Sequence, residues 1–141
     1  MTPAANERMH QIGEVVEAVS LSLRTIRYYG EMGLAPPSGR SPGGFRLYTD
    51  DDIERLKLIK HMKPLGFSLE EMRDLLDARA CLTGGVGDDA ARERVLGKLK
   101  MYAALAQERI ERLEEELHIA KEFAHVLRRE TSRRPRLRGR E

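Results

Sequence analysis

A mainly α-helical fold in two parts is predicted by three features of the sequence. These are a pair of short amphipathic helices, a glycine-rich hairpin behind them, and one long helix carrying an unbroken apolar seam. The stretch 22–34, S-L-R-T-I-R-Y-Y-G-E-M-G-L, lies at the centre of the first part. Ser22 is a good N-cap, and Leu23, Ile26 and Tyr29 recur at helical spacing as an inward face. Arg24, Thr25, Arg27 and Tyr28 then point outward. Two guanidinium groups, a hydroxyl and a phenol on one short helix are suited to donate to phosphates and base edges. The stretch holds no paired carboxylates, nucleophile–base pair or ligand cluster, so catalysis is not expected.

The chain has 141 residues, 34% of them charged and only 5% aromatic, which suits an extended helical protein better than a compact enzyme. The net charge of +2 hides an asymmetry: residues 128–141 carry seven Arg and two Glu, net +5, which leaves about −3 for residues 1–127. Global charge is therefore uninformative about nucleic acid, and local patches carry the case. Cys81 is the single cysteine, so no intrachain disulfide is possible and a reducing, cytoplasmic location is expected. No apolar run reaches spanning length and no signal-peptide core opens the chain, so no membrane role is expected.

In chain order, residues 1–9 read as a disordered N-terminus. Ile12, Val15, Val16 and Val19 form a short helix, and Ser20-Leu21-Ser22 breaks it and caps the next. Two short helices joined by a tight break, the second bearing Arg, make a helix-turn-helix with the second helix set for the major groove. Pro36-Pro37 ends the helical region. Gly39, Gly43 and Gly44 then permit a hairpin turn flanked by Arg40 and Arg46, with Phe45, Leu47 and Tyr48 as strand residues. An Arg-bearing hairpin behind a helix-turn-helix is a wing, suited to phosphate contact. Thr49 with Asp52, and Ser68 with Glu71, are capping boxes opening two more helices. The first buries Ile53, Leu56, Ile59 and Met62, exposes Arg55, Lys57, Lys60 and Lys63, and stops at Pro64. The second runs through Met72, Leu75 and Leu76.

The segments I-G-E-V-V-E-A-V-S-L-S-L-R-T-I-R-Y-Y-G-E-M-G-L-A-P-P, G-G-F-R-L-Y, D-D-I-E-R-L and L-G-F-S-L-E-E-M, in that order across residues 12–76, resemble the DNA-binding half of the mercury-resistance regulator (MerR) family. The resemblance implies a winged helix-turn-helix with a second wing around residues 63–68. It places Arg24, Thr25, Arg27 and Tyr28 on the recognition helix and Arg46 and Tyr48 on the first wing. Lys60 and Lys63 would approach the DNA backbone near the second. With Ser22 and Arg40, these form the expected DNA-binding set. Four positions depart from the family pattern: Ser20 stands where Gly is usual, Gly30 where an acidic residue is usual, and Phe45 where Tyr is common. Pro64 is unusual before L-G-F-S-L.

Residues 79–90 read as a glycine-rich linker, followed by a helix over 91–129, about 39 residues and nearly 60 Å long. Leu96, Leu99, Ala103, Ala106, Ile110, Leu113, Leu117, Ala120, Ala124 and Leu127 alternate by three and four without a miss. So long a seam exceeds what the first half can cover, and pairing with a second copy is expected. The resemblance points to an antiparallel two-helix coiled coil between protomers, presenting two recognition helices to a pseudo-palindromic site. Partners summing to 223 fill every layer: Leu96 meets Leu127, Leu99 meets Ala124, Ala103 meets Ala120, Ala106 meets Leu117 and Ile110 meets Leu113. The two-fold axis then falls between Glu111 and Arg112.

Metal- and redox-sensing relatives carry cysteines around both ends of this helix, whereas here Cys81 precedes it and none follows. His118 and His125 share one face but are expected to be solvated, and no metal or cofactor is expected. The tail 130–141 reads as basic and disordered. The domains are thus 10–78 for DNA binding, 79–90 as linker and 91–129 for dimerisation. The expected function is that of a non-enzymatic, homodimeric, sequence-specific regulator that distorts a promoter to change RNA polymerase access. The alternatives are an excisionase-like architectural or recombination-directing DNA protein, and a protein-interaction adaptor that has lost DNA binding.

Overall fold

The computed structural model describes residues 8–85 and 87–133. The chain divides after Ala103 into two units. The first contains β1 (His10–Gln11), α1 (Ile12–Val19), α2 (Leu23–Glu31), β2 (Gly39–Arg40), β3 (Arg46–Tyr48), α3 (Asp50–Met62), a 3-10 turn (Lys63–Leu65), α4 (Leu69–Thr83) and the start of α5 (Asp89–Ser132). α4 continues to Thr83, into the stretch read as linker. α5 begins two residues earlier and ends three residues later than its seam suggested. Residues 1–7 and 134–141, on which much of the expected N-terminal and tail disorder falls, lie outside the described residues.

The core is built by the apolar spacing. Val15 and Val19 of α1, Ile26 and Tyr29 of α2, and Ile53, Leu56, Ile59 and Met62 of α3 are buried together with Leu34 and Tyr48. Leu23, expected to face inward, is 39% exposed: it is the first residue after the Ser22 cap, and burial on this face begins one turn later at Ile26. The break between α1 and α2 is closed by Ser20 in the left-handed region (φ 55°), whose N–H donates to the Val16 carbonyl at 2.9 Å. It is the one non-glycine residue with positive φ among the described residues.

Caps form as their sequence signatures require. The Ser22 hydroxyl accepts from the Thr25 N–H at 3.1 Å. Thr49 and Asp52 exchange side-chain and backbone bonds at 2.8 and 3.1 Å, and Ser68 and Glu71 do so at 2.9 and 3.1 Å. The sheet has the antiparallel order β1-β3-β2, pairing His10 with Tyr48 and Arg40 with Arg46. β1 has no signature in the sequence, since two residues carry no alternation and its partner lies almost forty residues away.

His10 fastens this edge strand. Its ring nitrogens lie 3.1 Å from the Glu14 carboxylate and 2.7 Å from that of Asp50 at the start of α3. Hydrogen bonds to Glu14 and then Asp50 raise the His10 pKa above its ordinary 6.5, and the same His10 bond lowers that of Glu14 below 4.5. Stabilisation from His10 is thus fully present below pH 6.5 and lost as pH rises through the raised value. That from Glu14 is present above pH 4.5 and lost as pH falls through the depressed value. Urea melts across pH should show stability declining on the alkaline side of 6.5, and His10→Gln should flatten that decline. An unchanged profile in the variant would remove His10 as its source.

α4 and the first turns of α5 meet at one carboxylate. Asp74 accepts from Lys98 Nζ at 2.8 Å and from the Tyr102 hydroxyl at 2.7 Å. The Tyr102 ring is buried 6.1 Å from that of Phe67. Burial, and then the Asp74 bond, push the Tyr102 pKa up to about 12. The second unit consists of α5 beyond Ala103. Ile110, Leu113, Leu117 and Leu127 of the seam are 36–53% exposed there in the single chain.

Candidate nucleic-acid interface

The exposed side of α2 follows from its buried side. With Ile26 and Tyr29 in the core, Arg24, Arg27 and Tyr28 project outward, Tyr28 being 44% exposed and tilted against Tyr29 with ring centroids 5.4 Å apart. Thr25 is half-buried, and its hydroxyl accepts from that of Ser22 at 2.8 Å, so Ser22 is engaged as a cap on both counts. The far end of α2 is held by two guanidinium groups. Arg55 of α3 donates to the Leu34 carbonyl and Arg73 of α4 to the Met32 carbonyl. Arg55, expected to be exposed, is half-buried for that reason and also reaches Asp77 at 3.4 Å.

The wing tip is a closed turn. Gly44 N–H donates to the Ser41 carbonyl and Ser41 N–H to the Phe45 carbonyl, both at 2.8 Å, while Arg40 reaches the Gly44 carbonyl at 3.1 Å. Gly44 has φ +84°, so the turn needs a residue without Cβ. Phe45 stands 68% exposed beside it. Between wing and α2 lies a cleft of about 370 Å³ lined by Arg27, Glu31, Arg40, Phe45 and Arg46 among others. Three guanidinium groups against one carboxylate make it an anion-attracting groove.

Tyr48 requires a correction. Strand β3 turns its ring inward, where it is 0% exposed, and its hydroxyl is buried with no hydrogen-bond partner. It supports the wing from beneath and cannot touch a duplex from that position. Burial raises its pKa. Tyr48→Phe should therefore raise stability by about 1 kcal/mol, since it removes an unsatisfied hydroxyl, and should leave DNA affinity unchanged. A thermal melt showing a destabilised variant would contradict this account. Lys60 is also otherwise occupied: its Nζ donates to the Val19 carbonyl at 2.9 Å and caps α1. Lys63, on the 3-10 turn with Pro64, is exposed.

The donors that hold α2 were missed by sequence reasoning, because Arg55 and Arg73 bond carbonyls 21 and 41 residues away. Among the described residues no three His, Cys, Asp or Glu are grouped to hold a metal ion, and no helix is long and apolar enough to cross a membrane.

A bihelical unit, an arginine-bearing wing and a basic cleft between them define a winged helix-turn-helix protein. A family profile described as "MerR, DNA binding" matches residues 53–128, more than half of the chain, and one described as "MerR HTH family regulatory protein" matches residues 11–79. The chain belongs to the MerR family of helix-turn-helix regulators. It is 46% identical over 71 residues to the HTH-type transcriptional regulator ZntR of Escherichia coli, covering 50% of each protein. It is 41% identical over 66 residues to the mercuric resistance operon regulatory protein of Bacillus cereus, covering 47% of this chain and 50% of that one. The matches thus span about half the length of these curated relatives. Among solved structures, HiNmlR, described as a MerR family regulator lacking the sensor domain and bound to promoter DNA, shares the fold. Its TM-score is 0.66 at 24% identity over 89% of this chain and 94% of that one. MtaN, the N-terminus of the Bacillus subtilis multidrug transporter activator, gives 0.53 at 29% identity over 88% and 99%.

Proposed function

We propose that this protein is a cytoplasmic, non-enzymatic transcription regulator that binds promoter DNA as a homodimer. The observation that carries the reading is the arginine arrangement: Arg24 and Arg27 exposed on α2, with Arg27 sharing a cleft with Arg40 and Arg46 of the wing. α2 enters the major groove, where Arg24, Arg27, Thr25 and Tyr28 meet base edges, while Arg40, Arg46 and Lys63 hold flanking phosphates. The seam from Leu96 to Leu127 pairs antiparallel with a second copy about Glu111 and Arg112, and places two such units on a pseudo-palindromic site. Bending or untwisting the DNA between them changes RNA polymerase access. The family membership, and the promoter DNA to which HiNmlR is bound, support this reading.

A duplex selected by the protein from a random library, labelled for fluorescence anisotropy, tests it. Arg27→Ala should cost about 1–3 kcal/mol on the selected duplex and little on a scrambled one, whereas Arg46→Ala should weaken both and lower the salt slope by about one. Equal binding of the Arg27 variant and the parent to the selected duplex would remove α2 from recognition.

A further inference from the structure

The outward stripe of α2 does not end at Tyr28. Arg24, Arg27, Tyr28 and Glu31 recur at i, i+3, i+4 and i+7, and all four are exposed, whereas Ile26 and Tyr29 are buried. Glu31 is the last residue on the face that carries the arginines, and the single acidic one on it. It also lines the cleft with Arg27, Arg40 and Arg46. Among the described residues, none of those guanidinium groups is ion-paired to it. Nothing local favours a carboxylate here. Glu31 is the final residue of α2, where the carbonyl end of a helix repels negative charge, and no basic residue lies in that last turn. A residue that breaks a local rule with no local gain points to a role outside the fold.

A carboxylate on a groove-facing stripe has one kind of partner among base edges. It only accepts hydrogen bonds, so it can meet the exocyclic amine of cytosine (N4) or of adenine (N6). Guanine O6 and N7 and thymine O4 are acceptors and repel it, as do phosphates. We infer that Glu31 is a specificity-determining residue, accepting from a cytosine or adenine amine in the bound site. The inference rests on α2 being the reading helix, as proposed above. Arg27 and Glu31 are one turn apart, about 6 Å along the helix axis, and stacked base pairs are about 3.4 Å apart. The amine-bearing pair therefore lies one or two steps from the pair that Arg27 reads. The cost of Glu31 is the converse of its gain. At any other pair, and on nonspecific DNA, the same charge weakens binding, so the carboxylate selects by rejection as much as by attraction.

The selected duplex tests this when each of its base pairs is replaced in turn. At one pair the parent should prefer an amine-bearing base over guanine or thymine by about tenfold. Glu31→Ala should lose that preference, keep those set by Arg27, and bind a scrambled duplex more tightly than the parent does. Glu31→Gln still accepts through its amide oxygen but can also donate. It should keep its affinity for the selected duplex and tolerate guanine or thymine at that pair. Base analogues without the amine, 2-pyrimidinone for cytosine or purine for adenine, identify the base. The effective one should weaken the parent about tenfold and leave Glu31→Ala unchanged. If Glu31→Ala tightens every duplex equally with all base preferences intact, the charge acts on phosphates alone and the inference is overturned. A Glu31→Ala protein indistinguishable from the parent would overturn it as well, while Arg27→Ala still loses affinity and keeps α2 as the reader. If Arg27→Ala also binds the selected duplex as the parent does, α2 is not the reader, and the proposed function fails together with the inference.

Discussion

Ile110→Asp is expected to turn the proposed dimer into a monomer and to loosen specific DNA binding with it. Ile110 is 36% exposed in the single chain and contributes nothing to the buried core of the first unit. In the register with partners summing to 223, it meets Leu113 in the layer next to the two-fold axis, so one substitution strikes two adjacent central layers. Each lost isoleucine forfeits about 1.5–3 kcal/mol of burial. Each carboxylate forced into the seam adds on the order of several kcal/mol of desolvation. Together these exceed what a seam containing Ala103, Ala106, Ala120 and Ala124 can offset. Sedimentation equilibrium should show a monomer where the parent is a dimer, while circular dichroism reports a DNA-binding unit that still melts cooperatively. A variant that remains dimeric at the parent's concentration would mean that the seam is not the interface.

Ile26→Ala is the corresponding test inside the DNA-binding unit. Ile26 is fully buried on the underside of α2. Truncation should cost about 2–5 kcal/mol, the range for a large aliphatic in a well-packed core. Leu23→Ala, one turn earlier and 39% exposed, should cost well under half as much. Urea unfolding of the two variants measures the difference. Equal losses would mean that α2 is not seated through Ile26. A DNA-binding defect in Ile26→Ala that vanishes on cooling would show that the residue acts through folding rather than contact.

The local signals in this chain were legible because they are local. Thr49 and Asp52, and Ser68 and Glu71, close their capping boxes within one turn. The core spacing of Val15, Val19, Ile53, Leu56, Ile59 and Met62 needs only the helical period. The hairpin followed from three glycines and two strand-forming runs. Features that depend on remote parts of the chain were not legible. β1 is a strand only because Tyr48 and Leu47 lie beside it. Tyr102 falls outside the a/d seam, and Asp74, 28 residues away, gives it a role. Lys60 reads as a surface lysine until Val19 supplies a carbonyl from 41 residues upstream. Tyr48 was misplaced because family likeness puts it on the wing, whereas the two-residue period of a strand decides which side it faces. Of the expected DNA-facing set, the structure therefore leaves Arg24, Arg27, Tyr28, Arg40, Arg46 and Lys63 presented outward or into the cleft.

The clamps on the far end of α2 carry a mechanical meaning. Arg55 and Arg73 grip the Leu34 and Met32 carbonyls from α3 and α4, so the trailing end of α2 is braced by helices that follow it in sequence. Its leading end is set by Ser22 and by α1, which Lys60 of α3 also holds. The attitude of the reading helix is thus dictated from behind, through a few rigid struts on α3 and α4. A small roll of either strut helix would re-aim Arg24 and Arg27 together, tuning which groove geometry the protein accepts without altering a single residue that faces the DNA.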